Sequence, residues 1–307
     1  MEGNPLSTRL AGLQLENPTI LASGILGYSA ESLSRVAKGG AGAVVTKSIG
    51  AEPRAGYPNP TLFQAESGLI NAMGLPNPGI DVYTEEIKYS KIVLRIPIIV
   101  SVFGYSPDEY AAVAKKAVAA GADAVELNVS CPNVNQTGAE IGQNPRLLAE
   151  VVEAVKAQIE KPLIVKLSPN VADVAALARV AVEAGADVLT AVNTLKAMAI
   201  DSETMRPILS NIKGGLSGPA IKPVALRCVY DIHEALPDVP IIGCGGVAGW
   251  RDAVEFFLAG ASAVQVGSAI ALEDTEVFQA ITKGIEVYLR KKHYGSVKEI
   301  VGLAHRS

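Results

Sequence analysis

Apolar residues along this chain fall into short runs separated by amphipathic stretches, and two phrases recur. In the first, a glycine leads into a buried run, as in Gly40-Ala41-Gly42-Ala43-Val44-Val45, Gly121-Ala122-Asp123-Ala124-Val125-Glu126, Gly185-Ala186-Asp187-Val188-Leu189-Thr190 and Gly260-Ala261-Ser262-Ala263-Val264-Gln265. Each reads as the glycine that ends a helix followed by a buried strand. In the second, a proline opens the run, as in Pro97-Ile98-Ile99-Val100, Pro162-Leu163-Ile164-Val165 and Pro240-Ile241-Ile242-Gly243; proline is tolerated at a strand's first residue. Helical patterns cover residues 108–120, 146–159, 171–184 and 220–236, so strand and helix alternate and the strands must pair in parallel. With residues 19–22 as the first strand and 43–47 as the second, the pattern predicts eight strands centred near residues 20, 45, 99, 126, 165, 189, 241 and 264. Eight strands close a (β/α)8 TIM barrel, and a length of 307 residues suits one such barrel, since the fold commonly needs about 250. The expectation is a single domain spanning residues 1–307.

An open doubly wound sheet shares this alternation, but the glycines argue against it. No GxGxxG follows the first strand, whereas glycines gather after the last two, at Gly243-Cys244-Gly245-Gly246 and Gly267-Ser268. Loops after strands seven and eight of such barrels commonly hold a phosphate on backbone N–H groups.

Alternation within single strands then picks out candidate chemistry. In Ala124-Val125-Glu126-Leu127-Asn128-Val129 the valines and leucine face the helices, so Glu126 and Asn128 face inward. The turn that follows, Ser130-Cys131-Pro132-Asn133, projects a thiol and an amide over the barrel mouth, where catalytic residues of this fold sit. A free cysteine is equally often a small buried hydrophobe; the polar neighbours of Cys131 favour function, whereas Cys228 in an apolar helix and Cys244 in a glycine run read as structural. On the fifth strand Lys166 faces away from Leu163, Val165 and Leu167, and an inward lysine needs a partner. Lys47 ends the second strand in the same way. Either lysine could instead snorkel to the surface, but both stand among apolar residues. Residues 68–79 lack helical or strand period and read as a structured loop, in which Asn71 and nearby amides either grip a carboxylate or cyclic amide or merely shape turns. Asn193-Thr194 offers similar groups at the end of the sixth strand. The histidines, His233, His293 and His305, fall on a helix or in the C-terminal tail and suit surface roles.

Composition narrows the partners. The chain is 49% hydrophobic but only 5% aromatic, with 29 glycines and a formal net charge of -4 without basic clusters. That excludes an electrostatic footprint for nucleic acid or an anionic membrane. No signal pattern or spanning apolar stretch is evident, so a cytoplasmic location is expected. The three cysteines, far apart and without a CxxC pair, make no disulfide framework, zinc ribbon or iron-sulfur ligand set.

The combination Asn128-Val129-Ser130-Cys131-Pro132-Asn133, Lys166, Asn193-Thr194 and Gly243-Cys244-Gly245-Gly246-Val247 resembles the dihydroorotate dehydrogenase family over nearly the whole chain. The stretch Met198-Ala199-Ile200-Asp201 and the run from Gly214-Gly215-Leu216-Ser217-Gly218 to Pro219-Ala220-Ile221-Lys222-Pro223 look like its NAD-linked class 1B branch. The membrane-bound class 2 uses serine as base and carries an N-terminal extension, which this sequence does not share; the fumarate-dependent class 1A has the cysteine but differs around that glycine-rich run.

The resemblance implies that Cys131 is the base removing the C5 proton of dihydroorotate while the C6 hydride passes to the flavin of FMN, giving orotate. It implies that Ser23, Lys47, Ser48, Ser101, Asn128, Lys166, Val192, Gly218, Gly245, Gly246, Gly267 and Ser268 hold FMN, the last four around its phosphate. Lys47, Asn71, Ala72, Met73, Gly74, Leu75, Asn128, Asn133, Asn193 and Thr194 would orient the pyrimidine, and the loop 134–143, hinged at Gly138 and Gly142, would close over it. Ser101 departs from the asparagine common in relatives and weakens one flavin contact, although a hydroxyl still donates. The branch works with a partner subunit carrying FAD and a 2Fe-2S cluster, as a heterotetramer of two plus two. Rival readings are another flavin barrel, such as a dihydropyrimidine dehydrogenase-like reductase or a dihydrouridine synthase, and a phosphate-binding barrel without redox chemistry. The acidic balance opposes the RNA-binding face a dihydrouridine synthase needs.

Overall fold

Eight parallel strands close into a barrel in simple sequential order. They are β1 (Thr19–Leu21), β2 (Ala43–Val45), β3 (Ile98–Val102), β4 (Ala124–Asn128), β5 (Leu163–Leu167), β6 (Val188–Ala191), β7 (Ile241–Cys244) and β8 (Ala263–Val266), one at each centre expected from the sequence. The computed structural model describes residues 4–129 and 141–306. Cys131, Asn133 and most of the 134–143 loop lie outside the described residues.

Helices α1 (Ala30–Lys38), α2 (Ile80–Val93), α3 (Pro107–Ala119), α4 (Pro145–Lys156), α5 (Val174–Glu183), α6 (Lys222–Ala235), α7 (Trp250–Leu258) and α8 (Val277–Lys292) pack around the barrel. Their starts are written locally. Ser106 caps α3 by accepting from the Glu109 N–H, Asn144 caps α4 and Asp173 caps α5, each satisfying a donor the first helical turn leaves free. The glycine opening each recurring phrase, Gly40, Gly121, Gly185 and Gly260, has φ between 95° and 117°. That is the left-handed geometry that lets a helix end turn into a strand. Among the described residues no helix is long and apolar enough to cross a membrane.

Strand alternation sorts the core into two bodies. Outward residues such as Val100, Leu127, Val165, Leu189 and Val264 join the helices in the large shell cluster. Inward residues at the lower, N-terminal end of the strands, Ile20, Ala43, Ile99, Ala124, Ile164, Val188, Ile242 and Ala263, form a separate cluster with Leu10, Leu13 and Leu15. Those leucines belong to an antiparallel hairpin, Thr8–Leu10 with Leu13–Leu15, which plugs the barrel from below.

At the upper end the structure departs from the expected loop at 68–79. Its first part, Gly68–Asn71, is a strand, paired with Leu62–Ala65 on one side and Gly214–Ser217 on the other. Leu195–Ala197 completes a four-stranded antiparallel sheet. This sheet ties the excursion after β2 to the excursion after β6 and stands as a wall beside the barrel mouth.

Candidate active site at the barrel mouth

A cavity of about 380 Å³ opens at the C-terminal end of the strands, within the range of sites that take a small ligand or cofactor and at the face where this fold does chemistry. Of the residues implicated from the sequence, every described one except Ala72 lines it. Ala72 is fully buried with Ile70 and Leu209 in the small core behind the wall. The wall itself contributes Leu62, Leu69, Asn71 and Ser217.

The floor is a buried charge network. Both lysines are buried, Lys47 with 6% exposure and Lys166 with 5%, so neither snorkels. Register places Lys166 on β5 level with Asn128 on β4 and Thr190 on β6. Its Nζ donates to Gln265 Oε1 at 2.7 Å and lies 3.8 Å from Glu126 Oε1. Gln265 Nε2 in turn donates to Glu126 Oε2 at 2.6 Å, and Thr190 Oγ1 donates to the same oxygen at 3.0 Å.

Cys244 belongs to this floor as well, which corrects its reading as a merely structural cysteine in a glycine run. As the last residue of β7 it turns inward, and its side chain lines the cavity beside Lys166. Burial pushes the Cys244 thiol up, against the lowering influence of the ammonium. Burial alone would lower Lys166, but Cys244 and Glu126 hold it above its ordinary value. Since burial keeps the thiol protonated at neutral pH, Glu126 is the neighbour whose charge counts there.

A chain of uncharged groups climbs from the floor toward the mouth. The Ser101 and Ser48 hydroxyls are 2.9 Å apart, Ser48 and Ser23 3.3 Å. Asn128 Nδ2 donates to Ser48 Oγ at 3.0 Å and Asn193 Nδ2 to Asn128 Oδ1 at 3.3 Å. Ser101 is thereby committed to Ser48.

Two segments frame the opening. Residues 73–75 are braced from behind by Arg54, whose Nε donates to the Gly74 carbonyl at 2.7 Å. Buried Asn77 assists: its Oδ1 accepts from the Gly50 and Gly79 N–H groups and its Nδ2 donates to the Leu75 carbonyl. Neither Arg54 nor Asn77 stood out in the sequence; the only signal for Asn77 was its place between two prolines. Opposite lies the glycine side. Gly246 has φ 78° and a Cβ there would stand 2.7 Å from Lys222 Cβ and 2.9 Å from the Gly218 carbonyl oxygen, so its own backbone demands glycine. Gly267 is different: a Cβ would meet nothing nearer than Ala22 Cβ at 3.4 Å. The protein leaves room there that its fold does not need.

The histidines take no part in the cavity lining. His233 and His305 pack together instead of facing solvent separately, with the His305 ring stacked on Tyr230 at 3.7 Å and His233 Nδ1 buried.

Comparison with known proteins agrees with this geometry. The chain is 53% identical over 299 residues to a protein of Pyrococcus abyssi named dihydroorotate dehydrogenase B (NAD(+)), catalytic subunit, covering 97% of this chain and 99% of that one. Proteins of the same name from Thermococcus kodakarensis and Methanosarcina mazei are 54% and 52% identical, covering 97% and 96% of this chain and 98% and 94% of theirs. Among solved structures, dihydroorotate dehydrogenase of Eimeria tenella in complex with ferulenol superposes with a TM-score of 0.87 at 25% identity, covering all of this chain and 90% of that one. The family pattern described as dihydroorotate dehydrogenase matches residues 5–289, and the chain belongs to the dihydroorotate dehydrogenase family.

Proposed function

We propose that this chain is the catalytic subunit of an NAD-linked dihydroorotate dehydrogenase, oxidising dihydroorotate to orotate in pyrimidine synthesis with FMN seated in the barrel-mouth cavity. The observation that carries the reading is the pairing, across one cavity, of a buried lysine floor with a glycine rim whose spare room at Gly267 the fold does not use.

The residues present fit FMN. The backbone N–H groups about Gly245, Gly246, Gly267 and Ser268 suit its phosphate, Gly267 leaving space where a side chain would stand. Gly218 and Val192 flank the same cavity, and Ser23, Ser48, Ser101 and Asn128 supply hydrogen-bonding groups along the β1–β4 side. When bound, the flavin accepts the hydride from C6 of dihydroorotate and hands electrons onward.

The chain's own residues do the rest. Lys166 sets a fixed positive charge where negative charge develops on reduction, which a preorganised site stabilises without reorganising. Lys47 offers an ammonium to the substrate carboxylate. Asn71, Asn128, Asn193 and Thr194 offer the paired donors and acceptors that a cyclic amide requires. Met73, Gly74 and Leu75 close the side braced by Arg54 and Asn77. Cys131 and Asn133 follow directly on β4 in sequence. The Cys131 sulfur takes the C5 proton, which is acidified by the adjacent carbonyl, and Asn133 joins the pyrimidine contacts. Electrons leave to NAD through a separate subunit carrying FAD and a 2Fe-2S cluster, in a cytoplasmic heterotetramer of two plus two; the names of the relatives, which combine NAD(+) with "catalytic subunit", support a division of labour of this kind.

The test is direct. The purified chain should be yellow and reduce its flavin with dihydroorotate, transferring electrons to a dye but not to fumarate. Cys131→Ala should keep FMN and slow flavin reduction by about 100-fold or more at neutral pH, and Cys131→Ser should keep a residual rate that climbs with pH. A colourless chain that refuses FMN, or near-normal reduction by Cys131→Ala in a stopped-flow trace, overturns the reading.

A further inference from the structure

We propose that Glu126 is a positioning residue for Lys166: it keeps the ammonium charged and, with Gln265 as a bridge, holds it short of a closed ion pair so that its positive field remains available to the flavin. The inference rests on the FMN reading above and assigns a role to a residue that the mechanism does not otherwise use.

Glu126 is fully buried and faces the barrel interior, one inward step above the apolar Ala124. A carboxylate in that place has a large desolvation cost, so it persists only with compensating partners. The partners are arranged unevenly. Oε2 accepts two hydrogen bonds, from Gln265 and from Thr190. Oε1 is buried, accepts none, and is the oxygen nearer Lys166, at 3.8 Å. At that distance the two charges attract each other but share no direct hydrogen bond. Here Gln265 intervenes, accepting from Lys166 with its oxygen and donating to Glu126 with its amide nitrogen. Both ends fix the amide's orientation, because a flipped Gln265 would set donor against donor and acceptor against acceptor.

The ammonium therefore feels the carboxylate without being capped by it. Of its three donors, Gln265 takes one, and the Cys244 side chain stands beside the ammonium. The groups that face Lys166 from the surrounding strands are Glu126 on β4, Thr190 on β6, Cys244 on β7 and Gln265 on β8, and Lys47 lines the same cavity. Only Glu126 among them brings negative charge at neutral pH. Remove that charge and the buried lysine is left with neutral partners, the situation in which lysines titrate well below their ordinary range.

Sulfite provides the readout. It binds oxidised flavins, bleaches their colour, and binds more tightly when a positive charge stands near the ring, so its Kd reports the charge on Lys166 without turnover. In the FMN-loaded protein, the ratio of the Glu126→Gln Kd to the wild-type Kd should rise at least about tenfold between about pH 6 and about pH 9.5. Lys166→Met should bind sulfite weakly at every pH. A soluble, yellow Glu126→Gln protein whose ratio stays constant across that range overturns the proposal. If Glu126→Gln does not fold, melting temperatures of the flavin-free protein decide it. Lys166→Met leaves a lone buried carboxylate, so adding Glu126→Gln to it should raise the melting temperature, and a double variant melting no higher than Lys166→Met sinks the pairing. That second measurement needs no flavin, so a colourless protein would strike the FMN reading and leave the pairing to be judged separately.

Discussion

The inside of this barrel has two storeys built from the same eight strands. Below, Ile20, Ala43, Ile99, Ala124, Ile164, Val188, Ile242 and Ala263 pack on the leucines of the N-terminal hairpin, a dry core. One inward step higher, the same strands present Ser101, Glu126, Lys166, Thr190, Cys244 and Gln265, a polar floor open to a cavity. A shift of two residues along β5 separates Ile164 from Lys166. The fold confines what specifies closure to the lower storey, and the upper storey spends stability on groups that only a ligand and one another can satisfy.

The sharpest way to break this division is to move a charge down one step. Ile164→Lys sets a second ammonium on the same strand and face as Lys166 but among the apolar residues of the lower storey, where the carboxylate beside it on β4, Glu126, is already engaged by Gln265 and Thr190. The expected loss exceeds about 4 kcal/mol, read as insoluble expression or a collapsed urea midpoint. A folded Ile164→Lys protein of near-wild-type stability would mean that water reaches the lower storey and that the hairpin is no seal.

A second comparison lies within the upper storey. Gly246→Ala forces a side chain onto a left-handed residue and against Lys222 and Gly218, so it should cost about 1–3 kcal/mol of stability in the flavin-free protein as well as FMN affinity. Gly267→Ala meets only Ala22 at ordinary contact distance. Flavin-free stability should change by less than about 0.5 kcal/mol, while FMN binding, followed by fluorescence quenching, weakens about tenfold or more because the methyl group occupies ligand space. Equal FMN affinity in Gly267→Ala and wild type would remove that glycine from the cofactor site.

The two storeys were not equally legible in the sequence. Period-two alternation in β4 and β5 was enough to turn Glu126 and Lys166 inward, because a strand's faces are fixed by its pleat, and the glycine and proline phrases located seven of the eight strands, with residues 19–22 added as the first. What escaped depended on distant partners. Gly68–Asn71 is held as a strand by Gly214–Ser217, and a short, glycine-containing segment carries no local period to announce a partner so far along the chain. Cys244 was hidden for a related reason. A glycine run reads as a turn, yet β7 extends through it, and the pleat aims the thiol at Lys166. Between Asn71 and Met73, which face the cavity, alternation sends the Ala72 side chain into the small core behind.

The smallest predicted effect separates the shell outside the barrel from its upper storey through their cysteines. Cys228, on the buried face of α6, is pushed from its ordinary 9.0 up to about 11, chiefly by burial. A thiol whose folded value is raised stabilises the fold fully below its unfolded value, and that contribution fades as pH rises through the folded one. Its window is therefore about pH 9 to about pH 11 and its size about 1–2 kcal/mol at most. Cys244 and Lys166 are raised as well and lose their stabilisation in the same alkaline direction, so the wild-type limb mixes shell and floor. Cys228→Val, which keeps the volume and removes the proton, should flatten the early part of that limb in urea unfolding measured across the window. If it follows the wild-type curve throughout, the alkaline loss belongs to the other raised groups, Tyr83 in the shell and Cys244 and Lys166 in the floor, and not to Cys228.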